Sequence, residues 1–274
     1  MRTWFILVTA LATLMSCKDL SHVGKFARGA AQEVATAEQI EFTLTTACLR
    51  RCEQAAAAKL DVAFKGDCAC AAYAASDTIR ALKEAVVVLY FSNLAELAND
   101  ELTAYSLEPL TSALANPELN IPTSGLKEGS AVTSTVLKAF TEGYRRKHVV
   151  RLISQADQPL QAVLKGLQDW NDTRLLQLQA TLVEARRRTL DVVGDDALSR
   201  SERSASLLEL FEEERQLRSI EHALLKYREG LSKIAEGHES LRANLHRVKA
   251  EDVRRTLVQL SQELKELVPM ITNH

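Results

Sequence analysis

Between Leu217 and Val248 apolar residues fall every three or four positions without a break: Leu217, Ile220, Leu224, Tyr227, Leu231, Ile234, His238, Leu241, Leu245 and Val248. Only an α-helix brings positions at that interval onto one face; a strand would scatter them over both. Neither Gly230 nor Gly237 disturbs the phase. At about 1.5 Å per residue the seam runs close to 50 Å. A stripe this long and narrow needs a partner stripe, and the sequence supplies one upstream. Val149, Ile153, Ala156, Leu160, Val163, Leu167 and Trp170 alternate at four and three, and the series resumes one residue late as Leu175, Leu178, Leu182 and Ala185. That is a coiled-coil-like seam with a phase slip near residue 171. Gly194-Asp195-Asp196 supplies the turn, so the pair reads as an antiparallel helical hairpin. After Val248 the seam slips again and resumes at Leu257, Leu260, Leu264 and Leu267, which places a bend or a new helix near 249–252.

The rest of the chain agrees with an all-α fold, an elongated antiparallel helical bundle with long coiled-coil-like helices. In 274 residues there are only 10 Gly and 5 Pro, too few for the turns of a β-sandwich, while 46% hydrophobic residues suffice for a core. From Ala30 to Phe64 the composition favours helix, above all at Gln54-Ala-Ala-Ala-Ala58, and Lys65-Gly66-Asp67 supplies a stop and an N-cap. A second helix is predicted from about Cys70 to Ala98; the Val86–Phe91 run inside it is strand-like in composition but keeps helical spacing. A shorter helix ending near Ala115 follows. Pro109, Pro117 and Pro122, then Gly125 and Gly129, mark a linker loop centred on 116–130. The expected division is therefore N-terminal helices over 31–115, the linker, and a long helical hairpin over 131–274. Pro159 either kinks its helix or stands in a first turn behind an Asp157 cap.

The start of the chain addresses a compartment. Arg2 precedes an unbroken run, Trp4-Phe5-Ile6-Leu7-Val8-Thr9-Ala10-Leu11-Ala12-Thr13-Leu14, followed by Met15-Ser16-Cys17. The run is short for a bilayer core of about 30 Å but has the length of a secretory leader. Leu14-Met15-Ser16-Cys17 resembles the lipobox of bacterial lipoproteins. The resemblance, which covers the leader only, implies that 1–16 is a cleaved signal peptide and that Cys17 is lipidated and becomes the first residue. With Lys18 next, it implies the outer membrane, facing the periplasm; Asp19 keeps the inner membrane as the alternative. Residues 17–30, with Gly24 and Gly29, read as a lipidated tether.

Four cysteines remain: Cys48 and Cys52 in Cys-Leu-Arg-Arg-Cys, and Cys68 and Cys70 in Cys-Ala-Cys. An even number in an exported chain suggests disulfides, with three possible pairings. A nested pairing, Cys48 to Cys70 and Cys52 to Cys68, would staple one helix to the start of the next. The competing reading is a tetrathiolate metal site, but the spacing matches structural zinc patterns poorly and an oxidising compartment works against it.

Local motifs for chemistry are absent: no His-Glu-x-x-His pair, phosphate loop, Gly-x-Ser-x-Gly elbow or dinucleotide fingerprint occurs. No enzyme, metal or cofactor is expected. With 34 Lys+Arg against 36 Asp+Glu, no global basic field exists to collect nucleic acid. Tyr144-Arg-Arg-Lys-His148 and Arg186-Arg-Arg188 are interleaved with acids and read as solvated helix faces, with Glu212-Glu-Glu214 placed to pair across the hairpin. His238 on the seam and Trp170 in the other are candidate ligand contacts, with core packing the competing role of each. The expectation is a membrane-tethered periplasmic lipoprotein acting as a scaffold, spacer or protein-binding module, through an envelope protein partner or self-association. The alternative is a helical bundle that binds a small ligand near Trp170 and His238.

Overall fold

In the computed structural model, the residues described are 20–59, 63–66, 68–99, 145–248 and 250–272. The leader with Cys17, the linker at 116–130 and the helix expected before it lie outside them. Six α-helices and a single 3-10 turn make up the described fold, and no strand occurs among these residues. We number the helices α1 (Ser21–Thr36), α2 (Leu44–Ala58), α3 (Ala71–Asn99), α4 (Arg145–Gly194), α5 (Arg200–Ala243) and α6 (Glu251–Thr272).

The frame is the hairpin of α4 and α5, whose 50 and 44 residues make rods of about 75 and 65 Å. Gly194 ends the first, and the second opens with a capping box in which Ser199 Oγ accepts from Glu202 N–H and Glu202 Oε2 accepts from Ser199 N–H. The buried row of α5 follows the predicted seam from Leu217 to Leu241. Its helix starts earlier than that seam and stops sooner. Asn244 caps α5, so Leu245 and Val248 lie in the connection to α6, where Val248 stays buried and its carbonyl accepts a hydrogen bond from His22 Nε2 at 2.8 Å. Pro159 is inside α4, and Asp157 serves a partner helix instead of capping.

The segment expected to be a tether is a helix at the centre of the bundle. Helix α1 packs against α3, α5 and α6, and Val23, Phe26, Ala27, Ala30 and Val34 are fully buried. Each glycine costs a helix about 1 kcal/mol, less than burying one large apolar side chain returns, so Gly24 and Gly29 do not keep the segment loose. Gly29 lies against Leu264 of α6. Beyond α1 the helix predicted over 30–64 is broken by a 3-10 turn, Ala37–Gln39, and an extended stretch to Thr43. Burial of Ile40 and Phe42 holds that break, and Thr43 restarts the chain as α2 with a capping box to Thr46. The helix stop expected at Lys65-Gly66 comes earlier, at Ala58; Gly66 lies within the connection to α3 at φ 78°, a left-handed conformation suited to glycine, and Asp67, the expected N-cap, lies outside the described residues.

Helix α1 runs antiparallel to α5. Its first turn lies beside Val248, Phe26 lies against Gly237, and Glu33 lies against Gly230. The base of the bundle therefore carries the start of α1 and the end of α5, and the α4–α5 turn is at the opposite end. From 186 to 216 no residue is buried, so this part of the hairpin is a two-helix arm standing clear of the body. Arg188 to Glu213 at 2.8 Å and Arg186 to Glu214 at 4.0 Å bridge the arm, as the charge pattern predicted.

Candidate functional site

Between α2 and α3 the four cysteines form two disulfides, Cys48–Cys70 and Cys52–Cys68, with Cα atoms 5.9 and 6.1 Å apart. Residues four apart on α2 present one helix face, and the Cys68-Ala-Cys70 segment, turned by a hydrogen bond from Cys70 N–H to the Cys68 carbonyl, brings both its cysteines to it. The other end of α2 is tied to α3 by Asp77, whose carboxylate accepts from Leu44 N–H, Thr45 N–H and the Thr45 hydroxyl at 3.1, 2.9 and 2.6 Å. A carboxylate at a helix N-terminus satisfies otherwise unpaired amides and meets the favourable end of the helix dipole.

This stapled hairpin presses the loop before α2 against α4, where the seam slips. The interior positions at the slip are polar: Asn171 and Arg174 are buried. Asn171 Nδ2 donates to the Leu224 carbonyl at 3.0 Å; Arg174 Nε and Nη2 donate to the carbonyls of Phe42 at 2.6 Å and Ile40 at 3.2 Å. Helix α3 adds Arg80 and Glu84, paired at 2.5 Å, and the Tyr227 hydroxyl of α5 donates to Glu84 at 3.0 Å. Both guanidiniums lie over the Trp170 ring, with Cζ atoms 4.9 Å (Arg80) and 4.6 Å (Arg174) from its centre. Burial raises the pKa of Glu84 against the opposing pull of Arg80 and Tyr227, and burial followed by the charge of Arg80 lowers Arg174 to about 9. Three buried donor atoms here have no hydrogen-bond partner: Trp170 Nε1, Arg80 Nε and Arg174 Nη1.

A second polar cluster lies nearer the base. His238 is fully buried; its Nδ1 lies 3.2 Å from Asp157 Oδ1 and its Nε2 lies 2.7 Å from the Tyr90 hydroxyl. In the neutral ring Nδ1–H donates to the carboxylate and Nε2 accepts from Tyr90, so both nitrogens are used. Arg242 reaches Asp157 from the surface at 3.0 Å. The hydrogen bond from His238, opposed by burial, leaves the Asp157 pKa lowered; burial, then the charge of Asp157, raises Tyr90.

The sequence singled out Trp170 and His238, and the fold keeps them apart. Asp157 and Trp170 are separated by thirteen residues of α4, about 20 Å, and Leu160, Val163, Leu164 and Leu167 are buried along the interval. Periodicity placed Tyr90 on the apolar face of its helix but did not reveal Arg80, Glu84, Asp157 or Arg174. One signal was available for Arg174: a coiled-coil seam that skips a residue leaves interior positions for the intervening side chains, here Asn171 and Arg174.

On the outside, a groove of about 600 Å³ lies where the base of the arm meets the 3-10 turn and the end of α6, lined by Gln39, Glu41, Glu212, Arg215, Ile220 and Thr272 among others. Apolar side chains are exposed along α4 and on the arm: Leu176, Val183 and Leu190, at intervals of seven on α4, are 65, 71 and 65% exposed, the first two beside the body and Leu190 on the arm, and Leu208 and Phe211 are exposed on the α5 side of the arm. Among the described residues no group of three or more His, Cys, Asp or Glu is placed to hold a metal ion, and no helix is long and apolar enough to cross a membrane. Comparison with known proteins finds no match to a family model, to a curated protein or to a solved structure.

Proposed function

We propose that the protein is a lipid-anchored scaffold or spacer of the bacterial envelope. Cys17 is its membrane attachment, the periplasm its compartment, and the α4–α5 arm its working end. The outer membrane is the first choice of anchor surface and the inner membrane the alternative. The protein acts through surfaces and is not an enzyme.

The observation that carries this reading is the placement of the two ends. Five residues separate Cys17 from His22, so a lipid on Cys17 lies within about 18 Å of the bundle base whatever path the chain takes. The arm turn lies at the other end of α5, about 65 Å away. An anchor at one end and an exposed apolar row that runs along α4 into the arm at the other suit a molecule that holds a partner away from a membrane. The row on α4 repeats at seven residues, the interval that an amphipathic partner helix matches. Two disulfides fit an oxidising compartment.

Two experiments test the reading. Cys17→Ala should release the protein from membrane fractions, and unchanged fractionation would sink the anchor. A photo-crosslinking residue at Leu190 or Leu208 in living cells should trap a protein adduct that the same residue at an exposed position of α6 does not; equal labelling at both would sink the arm's role. The ligand-binding alternative draws support from the Trp170 side alone, where donors lack partners. His238 has both ring nitrogens engaged.

A further inference from the structure

We propose that Trp170, Arg80 and Arg174 form a binding site for an oxyanion, the carboxylate or phosphate group of a small molecule. This gives the ligand-binding alternative a chemical class; it depends on neither the anchor nor the arm.

The argument rests on donors and charge. Arg174 is 1% exposed, and two of its three nitrogens are spent on the carbonyls of Phe42 and Ile40. Those carbonyls carry no formal charge, so the guanidinium keeps its positive charge inside the protein. The third nitrogen, Nη1, is buried with no partner, as are Arg80 Nε and Trp170 Nε1. An unpaired buried donor costs about 1–3 kcal/mol, more when charged, and here three are gathered around one indole. The Arg80 and Arg174 nitrogens are each one bond from a Cζ atom lying within 5 Å of that ring centre.

The charges of Glu84 and Asp77 act on Arg174, but neither acid serves the three free donors: the Asp77 carboxylate accepts from the start of α2, and Glu84 from Arg80 and Tyr227. Arg80 and Arg174 repel each other, and each is left with a free N–H. A group with two or more acceptor oxygens and a negative charge meets all three donors and relieves that repulsion. Guanidinium groups recognise carboxylate and phosphate through paired hydrogen bonds. The way in is on the side of Arg80, whose side chain is long and 12% exposed, beside the partly exposed Trp170. Outward rotation of Arg80 opens the cluster and its return closes it over the anion.

The test uses the full chain labelled with 15N, with the Trp170 indole N–H resonance assigned by its loss in Trp170→Phe. Inorganic phosphate and acetate are titrated separately at constant ionic strength. The expected result is a saturable shift of the Trp170 signal with at least one anion, and the anion that acts tells phosphate from carboxylate. Arg80→Lys, which keeps the charge but loses Nε–H, should weaken binding about tenfold. Trp170→Phe, which keeps the aromatic ring and loses only the donor, should weaken it comparably by calorimetry, with melting temperature checking that both variants fold. An indole signal unmoved by both anions would overturn the site, as would folded variants that bind as tightly as the wild type.

Discussion

At the scale of single residues, the most exposed weakness of the core is Glu33. Its side chain is buried against Gly230 with neither oxygen hydrogen-bonded, and burial, then the charge of Glu229, pushes its carboxyl up to about 8. The folded protein therefore holds a proton that the unfolded chain releases near its ordinary value of 4.5. Stability from this group is fully present below pH 4.5 and is lost as the pH rises to about 8. Urea unfolding at pH 5 and pH 8 should show the wild type weaker at pH 8 by a few kcal/mol; Glu33→Gln should remove most of that difference, and an unchanged difference would contradict the assignment. Gly237 makes a different demand. A Cβ there would strike the ring of Phe26, which is held edge-on against Phe91. Alanine favours a helix over glycine by about 1 kcal/mol, but forcing that ring aside costs about 1–3 kcal/mol. Gly237→Ala should therefore destabilise in a denaturant titration, and a gain in stability would show that the ring yields freely.

At the scale of elements, stability is unevenly distributed. The bridge between Cys52 and Cys68 spans 16 residues and is worth about 3 kcal/mol in the chain-entropy model. Helix α2 is 15 residues long and, among the described residues, packs mainly on α3 and α4, so reduction should free its amides to hydrogen exchange while those of α1 and α6 stay protected. Equal loss in all three would mean that the staple supports the whole body. Ser199→Ala removes one cap at the arm tip, at a cost of about 1 kcal/mol. Exchange should quicken over the first turns of α5 without changing protection near Leu231.

The same unevenness explains what was legible in the sequence. Helix α3, predicted from Cys70 to Ala98, runs from Ala71 to Asn99, and its buried apolar residues from Val86 to Ala98 recur at helical spacing. The α4–α5 turn was announced by Gly194. The first half of helix α1 was not read, because its two glycines and small alanines imitate a flexible leader until packed on three neighbours. The helix break at 37–43 depends on Ile40 and Phe42 finding the core and on Arg174 reaching their carbonyls across 134 and 132 residues. No local window contains that information. The polar clusters were legible only as disturbances: a seam slip at residue 171 and a histidine on an apolar row.

At the scale of the whole molecule, a packed body carries a bare arm at one end and the proposed anchor at the other. In the proposed function the arm points away from the membrane. The direct measurement is energy transfer from a donor dye to acceptor-labelled headgroups, using lipidated protein in vesicles, with the donor placed in turn at Ser199 on the arm turn and at Arg247 near the base. The account predicts strong transfer from Arg247 and weak transfer from Ser199, as expected for sites about 65 Å apart along α5. Equal transfer from the two positions, or protein that fails to stay on the vesicles, would contradict it.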